Sequence, residues 1–345
     1  MTRRAPGGLD WFRPAAALLV VAIHTGPFLS CWPSANYVLT DILARIAVPF
    51  FFTVSGYFFV PKLQSQGWPA LIPYGKKLLL LYGLSTLLYV PVLIYSGYFS
   101  QPGLAGRLLQ DLLFDGTFYH LWYFPAALTG ACVLCPLIRR LGNIPALSVC
   151  AVLYLLGLLG DSYYGLTVAL PPLRTLYEVL FHCFDYTRNG LFFTPIFLLL
   201  GGLLAGTEGR RPPRCYGLGL ALSLVLLLTE GAVVKAFSLA RFDALYLSLP
   251  LCLWFLISWL RELPLPPAPD LRRWSLAVYV FHPLCVVLIR GGAKATGLTG
   301  LLVDNSPVHY LAVVCLSAVL ALPFVSGGRR PPTQPGPGSS WTPAP

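Results

Sequence analysis

Charge is scarce in this chain. Asp, Glu, Lys and Arg make up only 11% of the 345 residues, against roughly 25% in soluble domains, which excludes an ordinary water-facing surface. Acidic residues are the scarcer sign, 13 against 24 basic ones. A basic surplus can signal nucleic-acid binding, but here it comes in short clusters between apolar segments, with no polar stripe and no aromatic stacking module, so that class is excluded. A disulfide framework is also lacking. The nine cysteines are odd in number, and Cys132, Cys150, Cys252, Cys285 and Cys315 fall inside apolar runs. Cys132 and Cys135 have CxxC spacing, yet no second pair or histidine completes a zinc set, so no metal is expected and the thiols read as small apolar residues. Nor is there a cleavable signal peptide: the first apolar run continues past Pro27 without a small-residue cleavage motif and reads as a retained span.

What is present is apolar length. Hydrophobic residues make up 56% of the chain and the mean hydropathy is +0.70. Ten stretches approach the roughly 20 residues that cross a bilayer, at 10–30, 38–60, 77–99, 121–140, 145–160, 190–207, 215–234, 243–260, 271–290 and 308–326. The loops between them alternate in charge. One set holds fifteen basic residues (Arg3, Arg4, Lys62, Lys76, Lys77, Arg139, Arg140, Arg210, Arg211, Arg214, Arg261, Arg272, Arg273, Arg329 and Arg330); the other holds seven (Arg107, Arg174, Arg188, Lys235, Arg241, Arg290 and Lys294). The richer side should be cytoplasmic. The expected fold is therefore all-α, a polytopic membrane helix bundle of about ten spans with both termini cytoplasmic. Residues 1–326 form the membrane domain, and 327–345, rich in Pro, Gly and Ser, read as a disordered tail. Outside, 100–120 has an amphipathic pattern suited to the membrane surface, and 161–189 reads as a partial cap.

Titratable residues at membrane depth point to function. In LDWFRPAAALLVVAIHTGPF, Arg13 and His24 are eleven residues apart, which places them on one helix face roughly 16 Å from each other. Asp10 and Pro14 resemble a helix-start signal. A snorkelling arginine and a histidine bonded across to another helix are the alternatives; the shared face favours a common site. In the second span Asp41 and Arg45 share a face, which suits an intrahelical ion pair near the outer surface. Pro49 should kink that span, and Ser55 with Gly56 offers close packing. Gly202 and Gly206 have the GxxxG spacing of a helix contact. His120 stands among aromatics at the outer end of the fourth span, His182 in the cap, and His282, before Pro283, inside the ninth span. His309 receives no role. Glu230 is expected to pair with Lys235 or Arg241.

The Arg13–His24 spacing, RIAVPFFFTVSGYFF, HLWYF and SLAVYVFHP occur in this order, and together they resemble the membrane acyltransferase-3 family. A second resemblance, through LDWFRP, VAIH, YHLWYFPA, GDSYYGL, FDYTRNGLFFTPIFLLLG and LYLSLP, runs to about residue 325 and is to the membrane domain of the membrane-bound serine racemases of glycopeptide-resistant bacteria. Those racemases continue into a soluble domain that uses pyridoxal phosphate, so racemisation is not expected of this chain. The first resemblance implies a multi-pass protein of the bacterial cytoplasmic membrane that takes acyl groups from cytoplasmic acyl-CoA, a co-substrate and not a bound cofactor. The acceptor would be a hydroxyl, commonly on a cell-envelope carbohydrate. His24 would be the base or nucleophile, and Arg13 would hold a CoA phosphate or the developing oxyanion. Arg45, His120, His182 and His282 are candidates for acceptor binding or for orienting His24. The second resemblance implies L-serine passage, or a membrane scaffold for a partner such as a racemase or an envelope enzyme.

Overall fold

Each of the ten apolar stretches contains helix. The computed structural model describes residues 6–207 and 212–326; Arg3, Arg4, Arg210, Arg211, Arg329, Arg330 and the 327–345 tail lie outside the described residues. The chain opens with α1 (Gly7–Thr25) and α2 (Pro33–Tyr37), which runs through a π turn and a 3-10 turn into α3 (Ala47–Gln66). Next come α4 (Leu71–Tyr95), the short α5 (Leu104–Gln110), α6 (Tyr123–Leu141) and α7 (Asn143–Leu159). The outer segments α8 (Tyr164–Val168) and α9 (Pro171–Leu180) precede α10 (Thr194–Gly206) and α11 (Pro213–Ala236). The series ends with α12 (Leu249–Glu262), α13 (Pro269–Thr296), α14 (Thr299–Leu302) and α15 (Ser306–Ser326). Among the described residues there is no strand.

Among the described residues, six helical segments are long and apolar enough to cross a membrane: Pro33–Gln66, Trp68–Tyr95, Tyr123–Leu141, Pro213–Ala236, Pro269–Thr296 and Ser306–Val325. The protein is thus a multi-pass helical membrane protein. The helices α7, α10 and α12 are shorter, at 17, 13 and 14 residues. The α10 helix sits at the centre, packed against α3, α6, α7 and α12, and ten of its residues are buried. On the periphery, Leu80, Leu84 and Leu87 of α4 and Leu218, Leu222 and Val225 of α11 are exposed, as lipid-facing positions should be.

The tightest crossing is α3 on α10. A Cβ added at Gly201 would lie 1.9 Å from the Thr53 carbonyl oxygen, and one at Gly56 would lie 2.0 Å from that of Leu198. Only glycine permits such approach of two backbones. The expected GxxxG pair is corrected by one position: Gly202 packs on Val60, but Gly206 faces open space, and Gly201 is the contact residue.

Other expectations are revised too. Pro49 does not kink a span midway. It is the third residue of α3, where a missing N–H is tolerated, and the irregular winding lies just before it, at Val38–Ile46. Asp10, by contrast, stands in the first turn of α1, as a helix-start signal should, with the helix beginning at Gly7. Glu230 pairs with neither Lys235 nor Arg241. Its carboxylate accepts from Tyr163 Oη (2.7 Å), the Leu247 and Ser248 N–H groups (2.5 and 2.8 Å) and Ser248 Oγ (2.5 Å), so it satisfies donors at the start of α12. Lys235 and Arg241 lie instead on the rings of Tyr37 and Phe181, at 3.8 and 3.5 Å. All nine cysteines are free, but Cys132 and Cys315 are exposed, unlike Cys150, Cys252 and Cys285.

The segments around α5 and after α9 are tied together by carboxylates. Leu109, Leu112 and Leu113 are exposed while Asp111 and Asp115 turn inward. Asp115 Oδ2 accepts from the Asp185 N–H (2.9 Å) and from Gln110 Nε2 (2.7 Å), and Arg107 bridges Asp111 (3.4 Å) and Asp185 (3.2 Å).

Candidate active site

Three histidines distant in sequence meet near the C-terminal end of α1. The rings of His24 and His282 stack at 5.3 Å between centroids, and His120 meets His282 edge-on at 5.4 Å. His120 and His282 are fully buried, whereas His24 is half-buried. The His24 ring makes no hydrogen bond with any described residue and packs at 4.7 Å on Tyr119.

The local sequence explains how His282 is held. Pro283 has no N–H, so the Tyr279 carbonyl four residues back loses its helical donor. His282 Nδ1 takes that place at 2.8 Å. Because a carbonyl can only accept, Nδ1 carries the proton and Nε2 is left as a buried lone pair without a partner. One residue further on, Tyr89 Oη enters the same broken turn, accepting from the Leu284 N–H (3.2 Å) and donating to the Val280 carbonyl (2.6 Å). Neither ring nitrogen of His120 has a partner at hydrogen-bond geometry, although the Val280 backbone is a near neighbour of the ring. The Tyr279 hydroxyl donates to the His120 carbonyl and fixes the turn on which that histidine stands.

Two arginines complete the cluster. Arg45 pairs with Asp41 at 2.9 Å, as expected, and its Nε is unpartnered. Arg188 stacks on Tyr186 at 4.1 Å and lies 5.5 Å from the Trp122 ring, again with an unpartnered Nε. Arg188 is absent from the candidates read from sequence, where it counted only as a loop charge; its signal is the aromatic-rich setting of FDYTRNG. His182 is not brought to the cluster. It is exposed, and its Nδ1 bonds back to the Glu178 carbonyl at 2.7 Å. His309 bonds to the Leu302 carbonyl at 2.9 Å and stays apart as well.

Arg13 sits at the other end of α1, on the wall of a cavity of about 630 Å³. Five basic residues from four helices line it: Arg13, Lys62, Lys77, Arg272 and Arg273. Arg13 is steered by Asp10, a buried carboxylate at 3.4 Å that also takes two contacts from Arg272, at 3.2 and 3.0 Å, and the Ala268 N–H at 3.2 Å. The cavity's inner wall includes Tyr74, Tyr123 and Tyr279. The Tyr279 ring lies 5.6 Å from His120 and 6.1 Å from His282, so the cavity ends one ring away from the histidines. A second cavity, of about 220 Å³, opens at the opposite end of α4, with Tyr98, Asp111, Asp115 and Tyr119 among its walls. Asp115 stands outside the spanning segments, and burial raises its carboxyl above the usual range, partly offset by the hydrogen bonds from the Asp185 N–H and Gln110. Among the described residues no group of three His, Cys, Asp or Glu side chains could hold a metal ion.

A membrane helix bundle with imidazoles between a basic cavity and an acidic one defines a class, a multi-pass helical membrane protein with polar groups gathered inside the bundle. The comparisons name the family. The acyltransferase-3 model, described as an acyltransferase domain, matches residues 7–326, and the chain belongs to that family. It is 37% identical over 319 residues to an amino-acid racemase of Enterococcus faecalis, covering 91% of this chain and 44% of that protein. It is also 37% identical over 315 residues to a serine/alanine racemase of Enterococcus gallinarum, covering 90% of this chain and 44% of the relative. The chain thus spans less than half the length of these curated relatives. No solved structure matches it.

Proposed function

We propose that the protein transfers an acyl group from acyl-CoA, bound in the basic cavity, to a hydroxyl acceptor arriving from the opposite end. The observation that carries the reading is the cavity of about 630 Å³ lined by five cationic side chains and by Tyr279, which stands beside the histidines. Such a charge pattern suits the three phosphate groups of CoA, with Arg13 as a fork for one of them. Because Arg13 and His24 are roughly 16 Å apart along one helix, the proposed division of labour is phosphate at Arg13 and thioester at His24. The basic end is the cytoplasmic one in this reading, and the membrane is the bacterial cytoplasmic membrane.

His24 acts as the base, since it alone of the three imidazoles is partly accessible, and its ring makes no hydrogen bond with a described residue. Its nitrogen takes the acceptor's hydroxyl proton while that oxygen attacks the thioester carbonyl. The C–S bond then breaks, the CoA sulfur takes the proton back from the imidazolium, and the products are an ester and free CoA. In this reading Arg45 and Arg188 stabilise the intermediate's negative charge. No bound cofactor takes part. A cell-envelope carbohydrate is the acceptor class the family suggests.

The test uses sealed vesicles with labelled acetyl-CoA supplied on one face or the other, together with envelope extract. Label should enter the acceptor fraction only when the donor meets the basic-cavity face. A second reading is favoured by the names of the relatives, serine and amino-acid racemases: passage of L-serine, or service as a membrane scaffold for a partner enzyme. Accumulation of labelled L-serine in vesicles that leave acetyl-CoA intact would select passage.

A further inference from the structure

The small outer cavity has an unbalanced charge. Three carboxylates line it, Asp111, Asp115 and Asp185, with one cation, Arg107. Two of the three are provided for: Asp111 accepts from Tyr98 Oη at 2.6 Å and pairs with Arg107, and Asp185 pairs with Arg107 at 3.2 Å and accepts from Gln110 at 3.1 Å. Asp115 is not. Its residue is 8% exposed, its Oδ2 is occupied by neutral donors, and its buried Oδ1 has no partner. A buried, unpaired carboxylate oxygen is costly unless a ligand completes it. A divalent cation does not fit, because the carboxylates do not converge as a metal set. A space of about 220 Å³ accommodates a group no larger than an amino acid or one sugar ring. Tyr119, which lines this cavity, packs on His24 at 4.7 Å, so an occupant sits one ring away from the proposed base.

We propose that this cavity is the acceptor site and that it selects an acceptor bearing a primary ammonium close to its hydroxyl, with the ammonium on Asp115 Oδ1. The word acceptor rests on the acyl-transfer reading; the ammonium site itself does not. An amine-bearing alcohol, such as an amino sugar or a hydroxy amino acid, supplies the missing positive charge, whereas a neutral sugar leaves it missing.

The probes are ethanolamine and its neutral counterpart ethylene glycol, titrated against the purified chain in nanodiscs without donor. CoA release from acetyl-CoA is measured in parallel. The wild type should bind ethanolamine about tenfold or more tightly than ethylene glycol, and Asp115→Asn should lose that margin, as expected for a charge-assisted hydrogen bond. Asp185→Asn, at a side chain that is 35% exposed, tests the same field at a position where folding is not at stake and should weaken ethanolamine binding to a smaller extent. Unchanged acetyl-CoA binding by the variants shows that the bundle is intact. Equal binding of the two probes by a wild type that releases CoA overturns the ammonium site and leaves acyl transfer standing. Asp115-dependent ethanolamine binding with no CoA release does the reverse.

Discussion

Replacing Asp10 by alanine should loosen the entrance of the basic cavity. Asp10 is 1% exposed and holds three groups that belong to different parts of the chain: Arg13 on its own helix, the Ala268 N–H and Arg272 at the start of α13. Trp11 Nε1 donates to the Pro266 carbonyl at 3.0 Å and supports the same joint from its exposed side. Hydrogen bonds to a charged group are worth about 1.5–3 kcal/mol each. Arg272, however, is 44% exposed and regains water when released. Arg13, only 15% exposed, does not. The net cost should therefore be about 3 kcal/mol, set mainly by Arg13 and the Ala268 N–H, and within the range for one-sided removal of a buried partner. In detergent this corresponds to a fall in unfolding temperature of about 5 °C. Asp10→Asn, which keeps one acceptor oxygen, should lie in between. The double variant Asp10→Ala/Arg272→Ala should be less damaging than the sum of the singles, since the two side chains share one interaction. An Asp10→Ala protein that melts within about 1 °C of wild type, or strict additivity in the double variant, would refute the reasoning.

Gly201→Val should prevent α3 and α10 from approaching, because even a single Cβ meets the Thr53 carbonyl oxygen at 1.9 Å; yield of folded protein by size-exclusion chromatography should collapse, while Gly206→Val, facing open space, should be tolerated. Burial raises the carboxyl of Asp161, in the turn after α7, from 3.8 to about 6. The folded state thus holds this proton more tightly than the unfolded state, and the resulting stabilisation is complete below the unfolded value and lost as pH rises through about 6. Melting temperature should fall between about pH 4 and pH 7, by at most about 3 kcal/mol in stability, and Asp161→Asn should flatten that slope. Lys62→Gln with Lys77→Gln should weaken acetyl-CoA binding about tenfold at low ionic strength and much less in high salt, because both side chains are exposed and screened.

The bundle was legible because bilayer thickness imposes long apolar runs, and every such run holds a helix. The Arg13–His24 face was legible because both residues stand on one helix, where spacing alone fixes direction. The joining of His24 to His120 and His282 was not, since each comes from a different segment and no local periodicity records which helices touch. The basic cavity was hidden for the same reason: Lys62, Lys77, Arg272 and Arg273 read as orientation charges in separate loops, and only the packing of α1, α3, α4 and α13 makes them one wall. Glu230 was misread because an acidic residue near basic ones suggests a pair, whereas the free N–H groups at the start of α12 compete better for it. Tyr89 could not have been placed at all. Its partners, Val280 and Leu284, lie 191 and 195 residues away and are open to it only because Pro283 interrupts the helix.

The most direct test of acyl transfer is release of free CoA from acetyl-CoA by purified wild-type protein and by His24→Ala, with acetyl-CoA affinity measured for both. Wild type should turn the donor over in the presence of an acceptor, while the variant binds the donor with unchanged affinity and releases no CoA, because the basic cavity lies about three helical turns from the missing imidazole. Equal CoA release by the two proteins would remove His24 from the chemistry. Failure of the wild type to consume acetyl-CoA at all, with envelope extract present, would contradict the acyltransferase account itself.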